Sequence, residues 1–398
     1  KLLADDALRT QMAINAYAKT TKTSWENTAI KHVEVYQRIS KELNRIKISY
    51  PTIKMDHLKK MTTDMGMIQF CKISDPDLES GYTLDDNARA LIAICKQYQL
   101  NGKQVDIEYM KIYLNFIERC QLPGGNFINY VDKNNVIEAR NSDENLEDSN
   151  GRAIWALGFF TTLTPSNDLA PLIDKAIDCL KKAVKKAEKF NSPRAIAFSI
   201  KGFYYWYSVQ PSLALRNSIE ILSKKIQSMY TSVSSPDWNW FENKLTYANS
   251  ILPKALLFTY LITGQEKSKE IAVQSMNFLI EKMFVDGEFK IISNDGWYEK
   301  GVTPNSFGEQ PIEACYMMHT LDLFYKTFGN TAYKVNMKKA FDWFLGRNHL
   351  GHIMYNPITG LCYDVLEDNN VNLNQGAEST VCYLSARLLI ESYTSTGK

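Results

Sequence analysis

Four things are scarce in this 398-residue sequence, and each absence excludes something. Charge of one sign is missing: 46 basic residues face 44 acidic ones, for a formal net charge of +2. No basic block stands out, which argues against nucleic acid as the main partner. Long apolar runs are missing too. Stretches such as Ala255 to Ile262 fall far short of the roughly 20 residues that span a bilayer, so no membrane segment is expected. Histidine is rare, with five in all, and no CxxC or HExxH spacing occurs. Neither a structural nor a catalytic zinc site is therefore expected, and no cofactor. Finally, strand-like alternation is scarce, while helical periodicity is common.

The seven cysteines, Cys71, Cys95, Cys120, Cys179, Cys315, Cys362 and Cys382, are odd in number and widely scattered. Most sit in apolar helical patterns such as Ala93-Ile94-Cys95. That usage predicts reduced, buried thiols and a cytoplasmic location rather than a disulfide framework. Aromatic residues reach 12%, with 22 Tyr and 7 Trp. Flat apolar faces with a polar edge suit sugar rings, although a large aromatic core would use the same residues.

One kind of segment returns six times. A polar loop, often with Gly or Pro, carries an acid or amide, and a strongly apolar helix follows. The segments are Gly81 to Ala90, Leu146 to Ala153, Asn191 to Ala195, Leu245 to Ser250, Phe307 to Ala314 and Asn374 to Thr380. Between successive copies there is room for one amphipathic helix, as in Glu108 to Arg119, Leu172 to Glu188 and Ser268 to Lys282. Helices that are apolar all round must be buried. Six buried helices, each paired with an amphipathic one, predict an all-α (α/α)6 toroid over residues 46–398. Residues 1–45 are read as a preceding helical segment. The loops 120–146 and 284–310 are long enough to be functional and to hold small β-hairpins over one face of the ring.

In such a ring the inner helices start at one mouth, where the acids of the six segments would gather. Glycosidic cleavage needs two carboxyl groups, one to protonate the leaving oxygen and one to attack or to activate water. Asp86, Asp148, Glu309 and Glu378 are the candidate catalytic acids. Asp85, Glu242, Gln310 and Gln375 are candidate sugar-binding groups, with Arg89 and Arg152 in matching Asn-x-Arg-Ala contexts. Trp238, Trp240, Trp297 and Tyr298 are candidate stacking platforms. Each acid has a plainer role available: Asp86 and Asp148 could simply cap helix N-termini.

These motifs resemble a family of (α/α)6-toroid domains found alone or fused behind glycosyltransferases in bacterial carbohydrate gene sets. The matching residues run from Thr63-Asp64-Met65-Gly66 through Asp85-Asp86-Asn87-Ala88-Arg89-Ala90 and Glu147-Asp148-Ser149-Asn150-Gly151-Arg152. They continue through Trp240-Phe241-Glu242, Gly296-Trp297-Tyr298, Gln310-Pro311-Ile312-Glu313-Ala314 and Asn374 to Thr380. Two positions depart from the family pattern: Ala248 stands where an Asp is expected, and Glu309 where Asp is favoured. The resemblance implies a carbohydrate-active domain whose partner is an oligosaccharide or polysaccharide. A looser likeness to α-mannanases of the same fold, which use adjacent aspartates, implies a mannose-type substrate. Residues 1–45, with Thr23-Ser24-Trp25-Glu26-Asn27, resemble the tail of a GT-B retaining glycosyltransferase, which would be a covalently linked partner. The expected activity is glycoside hydrolysis. The alternatives are a non-catalytic glycan-binding domain attached to a transferase and a sugar epimerase or isomerase. The last would want a histidine pair, and none lies in the six segments.

Overall fold

The structure is a computed structural model that describes residues 4–21, 23–39 and 50–395. Six helices form the inner ring: α4 (Leu84–Asn101), α6 (Glu147–Phe160), α8 (Pro193–Val209), α10 (Ile251–Thr263), α12 (Pro311–Phe328) and α14 (Ala377–Ser395). Each packs on the next, and α14 packs back on α4, which closes the ring. Hydrogen bonds between neighbours join N-terminal ends: Arg89 of α4 to Glu378 of α14, Asp148 of α6 to Ser192 before α8, and Asn249 before α10 to Glu313 of α12. The six helices therefore start at one mouth.

Five further helices lie outside: α5 (Gln104–Cys120), α7 (Ala170–Ala187), α9 (Leu213–Val233), α11 (Glu266–Met283) and α13 (Thr331–Asp342). Their amphipathic spacing fixes which side turns inward. In α7, Ile173, Ala176, Leu180, Ala183 and Ala187 are buried, while Lys181, Lys182 and Lys185 stay in water. Against α14 the described outer element is only the five-residue α3 (Asp56–Lys60), so the sixth hairpin is abbreviated. Before it come α1 (Asp6–Thr21) and α2 (Trp25–Ile39); residues 1–3, 22 and 40–45 of the expected N-terminal segment lie outside the described residues. Asn27 of α2 accepts a hydrogen bond from the Ile353 N–H at 2.8 Å, tying this segment to the ring.

Small residues set the closest helix approach. A Cβ on Gly158 of α6 would come within 2.1 Å of the Gly202 carbonyl of α8, and one on Gly202 within 2.3 Å of the Ile154 carbonyl. These two helices touch backbone to backbone. Helix ends follow the local rules: Ser192 and Ser212 cap α8 and α9, and Gly102, Gly264 and Gly329 end their helices in the left-handed conformation.

Five two-stranded ladders of two residues each pin the loops. β1 (Cys71–Lys72) pairs with β2 (Asp75–Pro76), β3 (Tyr82–Thr83) with β4 (Tyr130–Val131), and β5 (Lys244–Leu245) with β8 (Tyr298–Glu299). β6 (Phe284–Val285) pairs with β7 (Glu288–Phe289), and β9 (Val365–Leu366) with β10 (Val371–Asn372). Both long loops contribute strands, as their length predicted.

Candidate active site

An asparagine that returns in three of the six segments has a structural task. Asn87 accepts from the Met67 N–H at 2.7 Å and donates to the carbonyls of Met67 and Thr83. Asn150 repeats the pattern with the Phe127 N–H, the Phe127 carbonyl and the Leu146 carbonyl. Asn249 does the same locally with Thr246. In these three segments one buried amide thus satisfies main-chain groups of the loop that holds the neighbouring acids in place.

On α4, Thr83 is the N-cap, which puts Asp85 and Asp86 in the first turn and Arg89 one turn further in. Neither acid is a conventional cap. Asp86 accepts from the Thr83 hydroxyl at 2.7 Å and from Arg89 at 2.6 Å. The same guanidinium reaches Glu378 at 2.7 Å and Asp85 at 3.2 Å, and Arg152 approaches Asp85 at 3.6 Å. Three carboxyl groups from two helices therefore share one buried arginine. Burial, and then the neighbouring Asp85, pushes Asp86 up to about 7. Burial acts on Asp85 as well, but Arg89 and Arg152 outweigh it and hold Asp85 below the ordinary carboxylate value.

A cavity of about 280 Å³ opens over this cluster, lined by Asp85, Asp86, Glu378, Gln310, Asp364 and Phe70 among others. Asp364 was not legible in the sequence, because it lies in a loop outside the returning segments. It accepts from the Gly376 N–H at 2.8 Å, and burial raises its proton affinity. Gln375, next to that glycine, is fully buried; its carbonyl lies 3.1 Å from His57 Nε2, and its side-chain oxygen accepts from Thr359.

Asp148 also acts on Arg152, as Asp85 does, but lies outside the lining of this cavity. Its carboxylate accepts from the Ser192 hydroxyl at 2.5 Å and from the Tyr247 hydroxyl, with no backbone cap. Tyr247 packs against Trp297, and Arg152 and Arg194 face its ring. Arg194 donates to Glu242 at 2.8 Å, so Glu242 belongs to this flank. Tyr247 and Arg194 are additions the motif reading missed. So is Glu313, which occupies on α12 the helical position that Asp86 occupies on α4. It is bonded to Asn249, and burial pushes it up to about 7.

Glu309 points elsewhere. It accepts from the Trp343 indole at 2.5 Å and lies 3.2 Å from His349 Nδ1, and the two line a second cavity of about 310 Å³. Tyr298 lines that cavity too. The hydrogen bond to Glu309 raises the His349 proton affinity. Trp238 and Trp240 line neither cavity. They are buried against Phe278 of α11, with the Trp238 indole donating to the Glu242 carbonyl. A third space, about 250 Å³, lies between α1–α2 and residues 352–363, away from the carboxylates.

All seven cysteines are buried and unbridged, no cluster of potential metal ligands occurs among the described residues, and no described helix is long and apolar enough to cross a membrane.

No family profile and no curated protein sequence matches the chain. Solved structures do. The chain superposes on cellobiose 2-epimerase from Bacillus thermoamylovorans with a TM-score of 0.66 at 11% identity, covering 93% of this chain and 100% of that one. D-mannose isomerase gives 0.59 at 15% identity, covering 86% and 100%. The α-1,6-mannanase GH76A of Salegentibacter sp., in an inactive variant bound to α-1,6-mannotetrose, gives 0.55 at 13% identity, covering 83% and 95%. The chain thus shares the (α/α)6 toroid fold with these three structures.

Proposed function

We propose that the chain is a glycoside hydrolase whose acids are Asp86 and Asp85. The observation that carries the reading is their opposite electrostatics: adjacent carboxyl groups on one cavity wall, one held protonated toward neutral pH and the other held ionised. Titratable pairs whose environments drive them apart mark acid and base. Asp86 would give its proton to the glycosidic oxygen as that bond breaks. Asp85 would take the proton of the water that adds to the sugar carbon, or attack that carbon first. Glu378, Gln310 and Asp364 would hold hydroxyls of the bound sugars, and Asp148, gripped by Ser192 and Tyr247, would fix the Arg152 wall. The inactive mannanase variant supports the choice, since it lacks two consecutive aspartates and still holds a mannose oligosaccharide. A mannose-type oligosaccharide is the substrate class proposed, and the buried free thiols support a cytoplasmic location. The link to a glycosyltransferase rests on the resemblance in residues 1–45 and belongs to the same proposal.

Incubation with α-1,6-linked mannose oligosaccharides tests this directly. New reducing ends are expected from the parent protein and none from Asp86→Asn. Binding without new reducing ends would favour the glycan-binding alternative. A change of sugar configuration without cleavage would favour an epimerase, a reading supported by the likeness to cellobiose 2-epimerase and D-mannose isomerase and by the His349–Glu309 pair. Either outcome would overturn the hydrolase reading.

A further inference from the structure

A second polar layer lies further along the inner helices than the carboxylates. Lys96 of α4, Lys201 of α8 and Lys254 of α10 point inward there with His319 of α12 and Ser385 of α14. Five of the six inner helices contribute. Lys201, Lys254, His319 and Ser385 are more than nine-tenths buried, and Lys96 is half-buried at the edge. Trp155, Phe198 and Tyr316 pack into an aromatic cluster between the two layers, with Arg152 on the Phe198 ring and Lys201 on the Trp155 ring. The lysine layer is therefore separate from the sugar cleft.

These lysines lack the acceptors that buried ammonium groups need. Each has three N–H donors. Lys96 uses two, on His319 Nε2 at 2.8 Å and on the Ser385 hydroxyl at 2.9 Å. Lys254 uses one, on the His319 carbonyl at 2.5 Å. Lys201 has no hydrogen-bond partner among the described residues, and its Nζ stands 3.3 Å from the centre of the Trp155 ring. Asp322, the carboxylate that acts on Lys96 and Lys254, is already engaged by Lys326 at 2.9 Å and by the Tyr393 hydroxyl at 2.6 Å. Burial leaves Lys96 at about 8 and Lys254 at about 7, with Lys201 also lowered. A multivalent anion would supply the missing acceptors and charge together.

We infer that the Lys96–Lys201–Lys254 layer is a binding site for a tetrahedral oxyanion, either inorganic phosphate or the phosphoryl group of a phosphorylated sugar. His319 and Ser385 would complete the shell, and the half-buried Lys96 marks the side of entry.

The test is calorimetric titration of the full chain with sodium phosphate and, separately, with a hexose 6-phosphate, against sodium chloride of equal ionic strength. Saturable binding is expected for at least one, weakened about ten-fold or more in Lys201→Met and in the less buried Lys96→Met. Tighter binding of the sugar phosphate would identify the phosphoryl-sugar source, and equal binding the free anion. Titration in two buffers of different ionisation enthalpy near pH 8 should also show proton uptake as the lysines charge. Cys315, Cys382, Asp322, Lys326 and His319 are the other titratable groups facing them. No binding beyond that of chloride, or unchanged affinity in both folded Met variants, would overturn the site.

Discussion

Arg89 and Glu378 are joined at 2.7 Å although 289 residues separate them, and the bond ties the first inner helix to the last. The guanidinium also compensates Asp85 and Asp86. Removing one partner of a buried ion pair costs about 3–5 kcal/mol. Arg89→Met should therefore destabilise the protein on that scale at pH 8, where its carboxylates repel one another. At pH 5 the loss should be smaller, because protonation relieves the repulsion. Urea denaturation at the two pH values checks this, and an equal loss at both would contradict the charge argument.

Asp86→Asn should move activity and stability in opposite directions. Turnover should fall at least ~100-fold, the usual scale for a positioned acid. In the parent, activity should decline as pH rises past about 7, where Asp86 loses its proton. For stability, the folded group holds a proton up to about pH 7 that the unfolded chain releases near pH 4. Stability contributed by this group therefore falls as pH rises through that window. The amide abolishes the fall, so Asp86→Asn should melt higher than the parent at pH 8.

Asp148 and Tyr247 should act as one unit. Tyr247→Phe and Asp148→Ala each remove their bond, and each should cost about 1–2 kcal/mol, with the double variant little worse than either single. A full double-mutant cycle by chemical denaturation measures the coupling, and additive losses would show the contact to be idle.

The thiols should be silent until the ring opens. Alkylation of the native protein should label none of the seven cysteines and alkylation in denaturant all seven, read by intact mass. Two or more disulfides would remove the basis for the proposed cytoplasmic location.

Gly158→Ala should be severe for so small a change. Its new methyl would meet the Gly202 carbonyl at 2.1 Å, a backbone atom that can yield only if α6 and α8 separate. A loss of about 3 kcal/mol or more is expected in denaturant titration.

The ring itself was legible because burial imposes a pattern: helices packed on all sides read as apolar, and a loop-locking asparagine returns before several of them. Side-chain direction was less so. Glu309 and Gln310 are neighbours in extended backbone, where Glu309 bridges Leu366, and successive side chains in that conformation face opposite ways. They accordingly enter different cavities. Trp238 and Trp240 lie in a loop that folds back on Phe278, a long-range packing event with no local signature. Asp364 and the three axial lysines come from places in the chain that share no motif, so only the closed fold brings them together.

Closure by α14 also has a meaning for how the protein is made. Asp85 and Asp86 emerge from the ribosome long before Glu378 and the helix that seals the ring, since Arg89 and Glu378 stand 289 residues apart. Until then the ribosome-bound chain is an open arc with an unsealed edge, and its first helix lacks its last neighbour. Contacts of such long sequence separation form slowly and leave apolar surface waiting. A chain stopped short of residue 377 would then carry both aspartates and most of its helices, yet be a substrate for chaperones and proteases rather than a sugar-binding protein.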